Sequence, residues 1–290
     1  MESRMPVIID LNAELARLTM FRRTPQSTRE ETKGSVARLA SYRDGFLFAI
    51  KFSGKDHWER HLTGDELVHI LDGTAILDIV CDAGPPESFA LRAGMMAVIP
   101  KGAWHRFYSS EGATQLAATP FPGENIELDV DNPRAVEPKR EKAAELGMPG
   151  IVDLETVVAK LGMFRGRTPQ STMADRKGSA ARLATYRDGA LSVTRFAGKG
   201  HWERHPADEL VHILDGSATL EIVCDDGPPK SFALGAGMIA VNRQAAWHRF
   251  YSSAGVTLMT ATPSPSEVIE LDVDDPREAA PRLATEKSKN

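Results

Sequence analysis

Short runs of apolar residues recur along the chain, among them FLFAIKF at 46 to 52, ELVHIL at 66 to 71, TAILDIVC at 74 to 81 and MMAVIP at 95 to 100. Turn clusters such as DG, SGKD and DAGPPES separate them. Strand-length runs at close spacing, with little 3.6-residue periodicity, predict an antiparallel sandwich or barrel. In ELVHIL, Glu66, Val68 and Ile70 share one face, His69 points off it, and Asp72-Gly73 is expected to close the strand. His69, and His212 at the same place later in the chain, therefore read as core or interface residues.

The pattern is written twice. KGSVARLASYRDG at 33 returns as KGSAARLATYRDG at 177, DELVHILDG is identical at 65 to 73 and 208 to 216, and AWHRFYSS is identical at 103 to 110 and 246 to 253. A period this long means two whole domains, since solenoid repeats run to about 20 to 50 residues. VIIDL at 7 answers GIVDL at 150, so the division is drawn at 1–143 and 144–290. Between the copies, EPKREKAAELGMPG is charged and alanine-bearing before a Gly-Met-Pro-Gly turn and predicts a short linker helix.

One pentapeptide, HWERH, stands at 57 to 61 and again at 201 to 205. On a helix its two histidines would lie at i and i+4 on one face; on a strand His57, Glu59 and His61 would share a side. Pro206 decides for the strand, because a residue before proline is pushed out of the helical region. The copies also differ by one residue just beyond, HLTGDE against HPADE, as a loop would. Trp58 and Arg60 then face the opposite way.

Composition narrows the partners. The 35 basic and 40 acidic residues leave a net charge of −5 with no basic block, which argues against nucleic acid and anionic membranes and for a small-molecule ligand. The N-terminus lacks the apolar region of a signal peptide and no run of about 18 apolar residues exists, so a cytoplasmic protein is expected. Cys81 and Cys224, at equivalent places in the two copies, read as reduced structural thiols.

The residues around HWERH form larger spacings: His61-x4-Glu66-x6-Gly73 and Gly94-x5-Pro100-x-Gly102-x2-His105 in the first copy, His205-x3-Glu209-x6-Gly216 and Gly237 followed by His248 in the second. These resemble the two motifs of the cupin superfamily, G-x5-H-x-H-x3,4-E-x6-G and G-x5-P-x-G-x2-H-x3-N. The resemblance covers both copies and implies a bicupin, an all-β chain of two tandem jelly-roll-like barrels, here with short helical N-terminal and linker segments. It implies a metal held by His61, Glu66 and His105 in the first copy and by His205, Glu209 and His248 in the second. Where the family has the first histidine of H-x-H, this chain has Glu59 and Glu203. Those glutamates either complete the ligand set or act as bases, and His57 and His201 are candidate substitutes. Two imidazoles and two carboxylates suit divalent Fe, Mn, Zn or Ni.

A metal-free polar interior is the alternative, but two glutamates facing one cavity repel unless protonated or neutralised. Arg106 and Arg249, after the second-motif histidines, point the other way and read as packing or salt-bridge residues. Trp104, Trp247, Phe107 and Phe250 read as barrel packing or pocket wall. Arg243, in the turn that replaces Pro100-Lys101-Gly102, is either solvated or a pocket-mouth anchor for an anion. Two functions follow: a metal-dependent enzyme on a small oxygenated molecule, dioxygenase-type ahead of isomerase or decarboxylase, or a non-catalytic binding or sensing module. Barrels of this kind commonly pair by their outer faces, so a homodimer is a further expectation.

Overall fold

The computed structural model describes residues 5–80, 84–136, 147–224 and 227–284. The expected linker helix falls largely in 137–146, and Cys81 at 81–83, both outside the described residues. Short helices do occur at Leu11–Ala16 and Leu154–Ala159, each directly after a strand. Among the described residues no helix is long and apolar enough to cross a membrane.

The chain divides into two compact units, one of Ala13–Glu155 and one of Met1–Asn12 with Thr156–Asn290. The units thus differ from the two sequence copies by an interchange of first strands. Val7–Asp10 pairs antiparallel with Met238–Asn242, and Gly150–Asp153 with Met95–Ile99. Apolar VIID and GIVD each cover a sheet edge that would otherwise present unpaired backbone groups.

Within the first unit the sheet runs Gly123–Ile126, Trp58–His61, His105–Pro120, Glu66–Ile79, Met95–Ile99, Gly150–Asp153. Gly45–Lys55 adds to the other side of His105–Pro120 and carries Val36–Tyr42 and Phe21–Arg23. The second unit repeats this order with Val7–Asp10 at the edge in place of Gly150–Asp153 and adds Arg282–Ala284 beyond Ser266–Ile269. The middle of HWERH is strand in both copies, Trp58–His61 and Trp202–Arg204, with His57, His201 and His205 just outside.

One sequence expectation is corrected here. Asp72-Gly73 does not end a strand; Glu66–Ile79 continues through it with a register shift. Gly73 has φ +75°, and a β-carbon there would lie 2.1 Å from the Gly112 carbonyl oxygen, so glycine permits two long strands to cross closely where a turn was expected. Gly216 repeats the device against Gly255.

Inward positions of these strands make each core. Phe52, Val68, Ile70, Leu77, Ile79 and Phe107 pack together in the first unit, and Phe196, Val211, Ile213, Leu220, Leu258 and Phe250 in the second. Complete burial of such side chains stabilises by about 1.5–3 kcal/mol each. A separate cluster holds the other face of HWERH. Trp58 is fully buried against Val80 and Trp104, donates from Nε1 to the Val130 carbonyl at 2.9 Å, and lies under the Arg106 guanidinium. Trp202 is held alike, with Arg249 above it. His69 and His212 are buried, as their strand parity predicts. Burial alone pushes His212 down to about 4.

Candidate metal centre

The fold brings the motif residues together through strand register. Glu59 lies opposite His105 across the Trp58–His61 and His105–Pro120 pair, and Glu203 lies opposite His248. Glu66 opens the neighbouring strand. The result is a cluster in which His105 Nε2 stands 2.9 Å from Glu66 Oε2 and 3.7 Å from Glu59 Oε1. His61 Nε2 stands 3.5 Å from Glu66 and 3.8 Å from Glu59. One donor atom from each of Glu59, His61, Glu66 and His105 falls within 4.8 Å of the rest.

In the second unit the corresponding group is Glu203, His205 and His248. Glu209 contacts both histidines, His248 Nε2 at 2.9 Å and His205 Nε2 at 3.5 Å, but is not in the 4.8 Å group. Its own contacts differ. Glu209 accepts from Thr262 Oγ1 at 2.7 Å and Asn242 Nδ2 at 3.1 Å, whereas Glu66 accepts from Thr119 Oγ1 at 2.5 Å and faces Ile99 at the position of Asn242.

Several contacts orient the rings. His105 Nδ1 faces the Ala103 carbonyl at 3.1 Å and His248 Nδ1 the Ala246 carbonyl at 3.0 Å, which turns each Nε2 inward. Such an outer partner fixes the tautomer of a ligating histidine. Ser266 Oγ lies 2.9 Å from His205 Nδ1.

Protons and cations compete for the inward atoms. Burial disfavours charge on His61, yet Glu66 and Glu59 outweigh it and raise it to about 9. Burial likewise works against Glu66, but His61 and His105 hold its carboxyl far below the usual range. His248 is raised by Glu209 and Glu203 against the effect of burial.

The fit to a metal rests on these inward atoms. His61 Nε2, Glu66 Oε2, His105 Nε2, His205 Nε2 and His248 Nε2 are buried and make no hydrogen bond of regular geometry, their near contacts being the ion pairs within each cluster. Buried polar atoms ordinarily find such a bond, at a cost of about 1–3 kcal/mol when they do not. A divalent cation at the convergence point would satisfy them together, and the imidazole and carboxylate donors match Fe, Mn, Zn or Ni.

His57 and His201 stand behind the glutamates. His57 Nε2 is 4.0 Å from Glu59 Oε2 and its Nδ1 is 3.1 Å from Asp56 Oδ1, while His201 Nε2 is 3.5 Å from Glu203 Oε2. Asp56 in turn is ion-paired with Arg23. Burial raises the Asp56 carboxyl, and Arg23 and His57 more than reverse this, bringing it down to about 2. Sequence reasoning passed over Asp56, Arg23, Thr119, Thr262 and Asn242. The signal that could have found Asp56 is the change to Gly200 immediately before an otherwise identical pentapeptide.

Other expectations resolve by contact. Arg106 Nε donates to Asp78 at 2.9 Å, and Arg249 pairs with Glu221, both away from the cluster. Arg243 Nη1 is 2.9 Å from Asp208, an ion pair in place of a pocket-mouth anchor. Its turn keeps the shape of the first copy, since Ala245 adopts φ +59° where Gly102 has +82° and both amides donate to the carbonyl of the strand-end histidine. Cys224 is buried.

No protein-family model matches the chain, and no curated protein does. Solved structures similar to it include oxalate decarboxylase from Bacillus subtilis, 12% identical, with 79% of this chain and 71% of that one covered at a TM-score of 0.49. Another is a cupin 2 conserved barrel domain protein from Leptotrichia buccalis, 12% identical, with 90% and 96% covered at 0.48. The chain's own geometry shows two strand-built units with a shared strand order, each with histidines and glutamates of both repeated motifs converging inside it.

Proposed function

We propose that this chain is a metal-dependent bicupin acting on a small oxygenated organic molecule, with dioxygenase-type chemistry the foremost reaction class. The observation that supports it is the convergence of buried imidazole and carboxylate atoms, whose near contacts are one another, beside a partly exposed glutamate. When bound, a divalent cation would be held by His61, Glu66, His105 and Glu59, and by His205, His248 and Glu203 with Glu209 behind them. It would supply Lewis-acid polarisation of a carbonyl or enolate oxygen and, for iron or manganese, redox capacity toward dioxygen.

The chain's own residues have separable roles. Glu59 is the partly exposed member, so its carboxylate can take a proton from a bound hydroxyl or carbon acid. His57 stands behind it: burial opposes its charge, but Asp56 and Glu59 outweigh burial and raise it. Asp56 fixes the His57 ring, and Thr119 holds Glu66 in place.

The test is oxygen uptake and carbon dioxide release by the Fe-, Mn-, Zn- and Ni-loaded chain over a panel of small hydroxy, keto and enediol acids. Turnover with iron or manganese that disappears in E59Q and H61A, or in E203Q and H205A, is the expected result. Turnover unchanged in all four variants, or none on any substrate with any metal, would sink the reading.

A further inference from the structure

The two clusters share their histidines and glutamates but differ in the charge placed next to them. Positions 23, 32 and 56 of the first copy are Arg, Thr and Asp; their counterparts 167, 176 and 200 are Arg, Arg and Gly. A set that is neutral in the first unit is doubly positive in the second. In the first, the Asp56 carboxylate occupies Arg23.

In the second, a β-carbon built on Gly200 would stand 3.5 Å from Cζ and Nη2 of Arg167, so that guanidinium faces the space where the first unit keeps its own carboxylate. The backbone around that space is the same. The Gly200 amide donates to the Phe250 carbonyl at 2.8 Å as the Asp56 amide does to Phe107 at 2.9 Å, and Arg167 lies over Phe196 as Arg23 lies over Phe52.

Neither arginine is paired off. Among the described residues Arg167 has no ion pair within 4 Å, and Arg176 has a buried Nε without a partner and an Nη2 spent on the Met173 sulfur. Burial and repulsion from Arg176 lower Arg167 to about 10, with Glu203 acting the other way. Arg176 is lowered by burial against the attraction of Glu203 and Asp175. Both therefore stay charged at neutral pH within the field of the Glu203 carboxylate, whose own ion-pair contacts are His201 and His205.

We propose that Arg167 forms a carboxylate-binding subsite beside the second cluster, in the space that Asp56 fills in the first, with Arg176 adding to the positive charge around it, so that the second unit takes an anionic substrate and the first does not. This rests on reading the second cluster as a small-molecule site. A guanidinium offers a planar fork matched to a carboxylate, and a second arginine adds positive charge. A substrate carboxylate held there would lie next to Glu203 and His201.

The test uses the full-length chain, chelator-treated and then with metal restored, with malonate as the probe and inorganic phosphate as the comparison anion. Calorimetric titration should show one malonate site per chain. R167Q and G200D should each weaken it about tenfold or more, in line with charge-assisted bonds, and R176Q to a smaller extent, while R23Q leaves it unchanged. G200D restores the carboxylate the first unit carries, and the reverse pair T32R/D56G should create a second malonate site. Unaltered binding in R167Q and G200D, no binding by the wild type, phosphate binding with malonate excluded, or no new site in a folded T32R/D56G would each overturn the proposal. Metal content on the same samples separates the readings: malonate binding in a chain that takes up no metal defeats the proposed function and leaves the subsite standing.

Discussion

Replacing Asp56 by Asn tests the layer behind the first candidate metal centre. The Asp56 carboxylate is buried between the Arg23 guanidinium and His57 Nδ1. Its carboxyl falls from 3.8 to about 2 on folding. At 1.36 kcal/mol per unit this is worth roughly 2 kcal/mol at neutral pH. Because the folded value is the lower one, that contribution is present above the unfolded value of 3.8 and is lost as pH falls through about 2. Asparagine removes the charge and leaves Arg23 buried and uncompensated, so the variant should lose about 2–4 kcal/mol at pH 7. Native-state hydrogen exchange is the assay, comparing Gly45–Lys55 and Trp58–His61 with Gly189–Lys199 and Trp202–Arg204. The loss should be confined to the first unit and should shrink toward pH 2. A loss below about 0.5 kcal/mol, or one shared equally by both units, would refute the reasoning.

Three further outcomes are expected. Thr119→Val removes the hydroxyl that donates to Glu66 at 2.5 Å, and zinc titration should show affinity at the first site reduced about 10- to 100-fold with the second unaltered. Gly73→Ala places a β-carbon 2.1 Å from the Gly112 oxygen at φ +75°; soluble yield and thermal midpoint should collapse, while Gly84→Ala, with open space around it, leaves both unchanged. Burial holds His212 near 4 in the folded chain. The unfolded chain therefore binds the proton first, and stability should drop by up to about 3 kcal/mol as pH falls from about 6.5 to 4, then level off. His212→Asn should flatten that part of the stability curve, and an unchanged slope would contradict the assignment.

What could be read in the sequence was local or duplicated. Pro206 placed HWERH on a strand, strand parity put His57, Glu59 and His61 on one side, and repetition of the motifs located both clusters. Asp72-Gly73 misled because a glycine pair signals turns and strand crossings alike, and the close approach of Gly112 is a long-range fact. The interchange of Val7–Asp10 and Gly150–Asp153 left no local trace either, since both segments have the same apolar pattern and either could cover either edge. Arg23 reaches Asp56 because Phe21–Arg23 runs parallel to Gly45–Lys55, with Arg23 opposite Gly54. That pairing joins segments some thirty residues apart, so only the folded register shows it. The aligned copies did hold one usable clue, the charge changes at 32/176 and 56/200 within otherwise similar blocks.

The most direct measurement is the metal content of the untagged chain after supplementation with each of Fe, Mn, Zn and Ni, alongside His61→Ala and His205→Ala. Convergence of buried donors in both units predicts about two divalent ions per wild-type chain and one in each variant. Absence of stoichiometric metal in the wild type under every supplement would contradict the account.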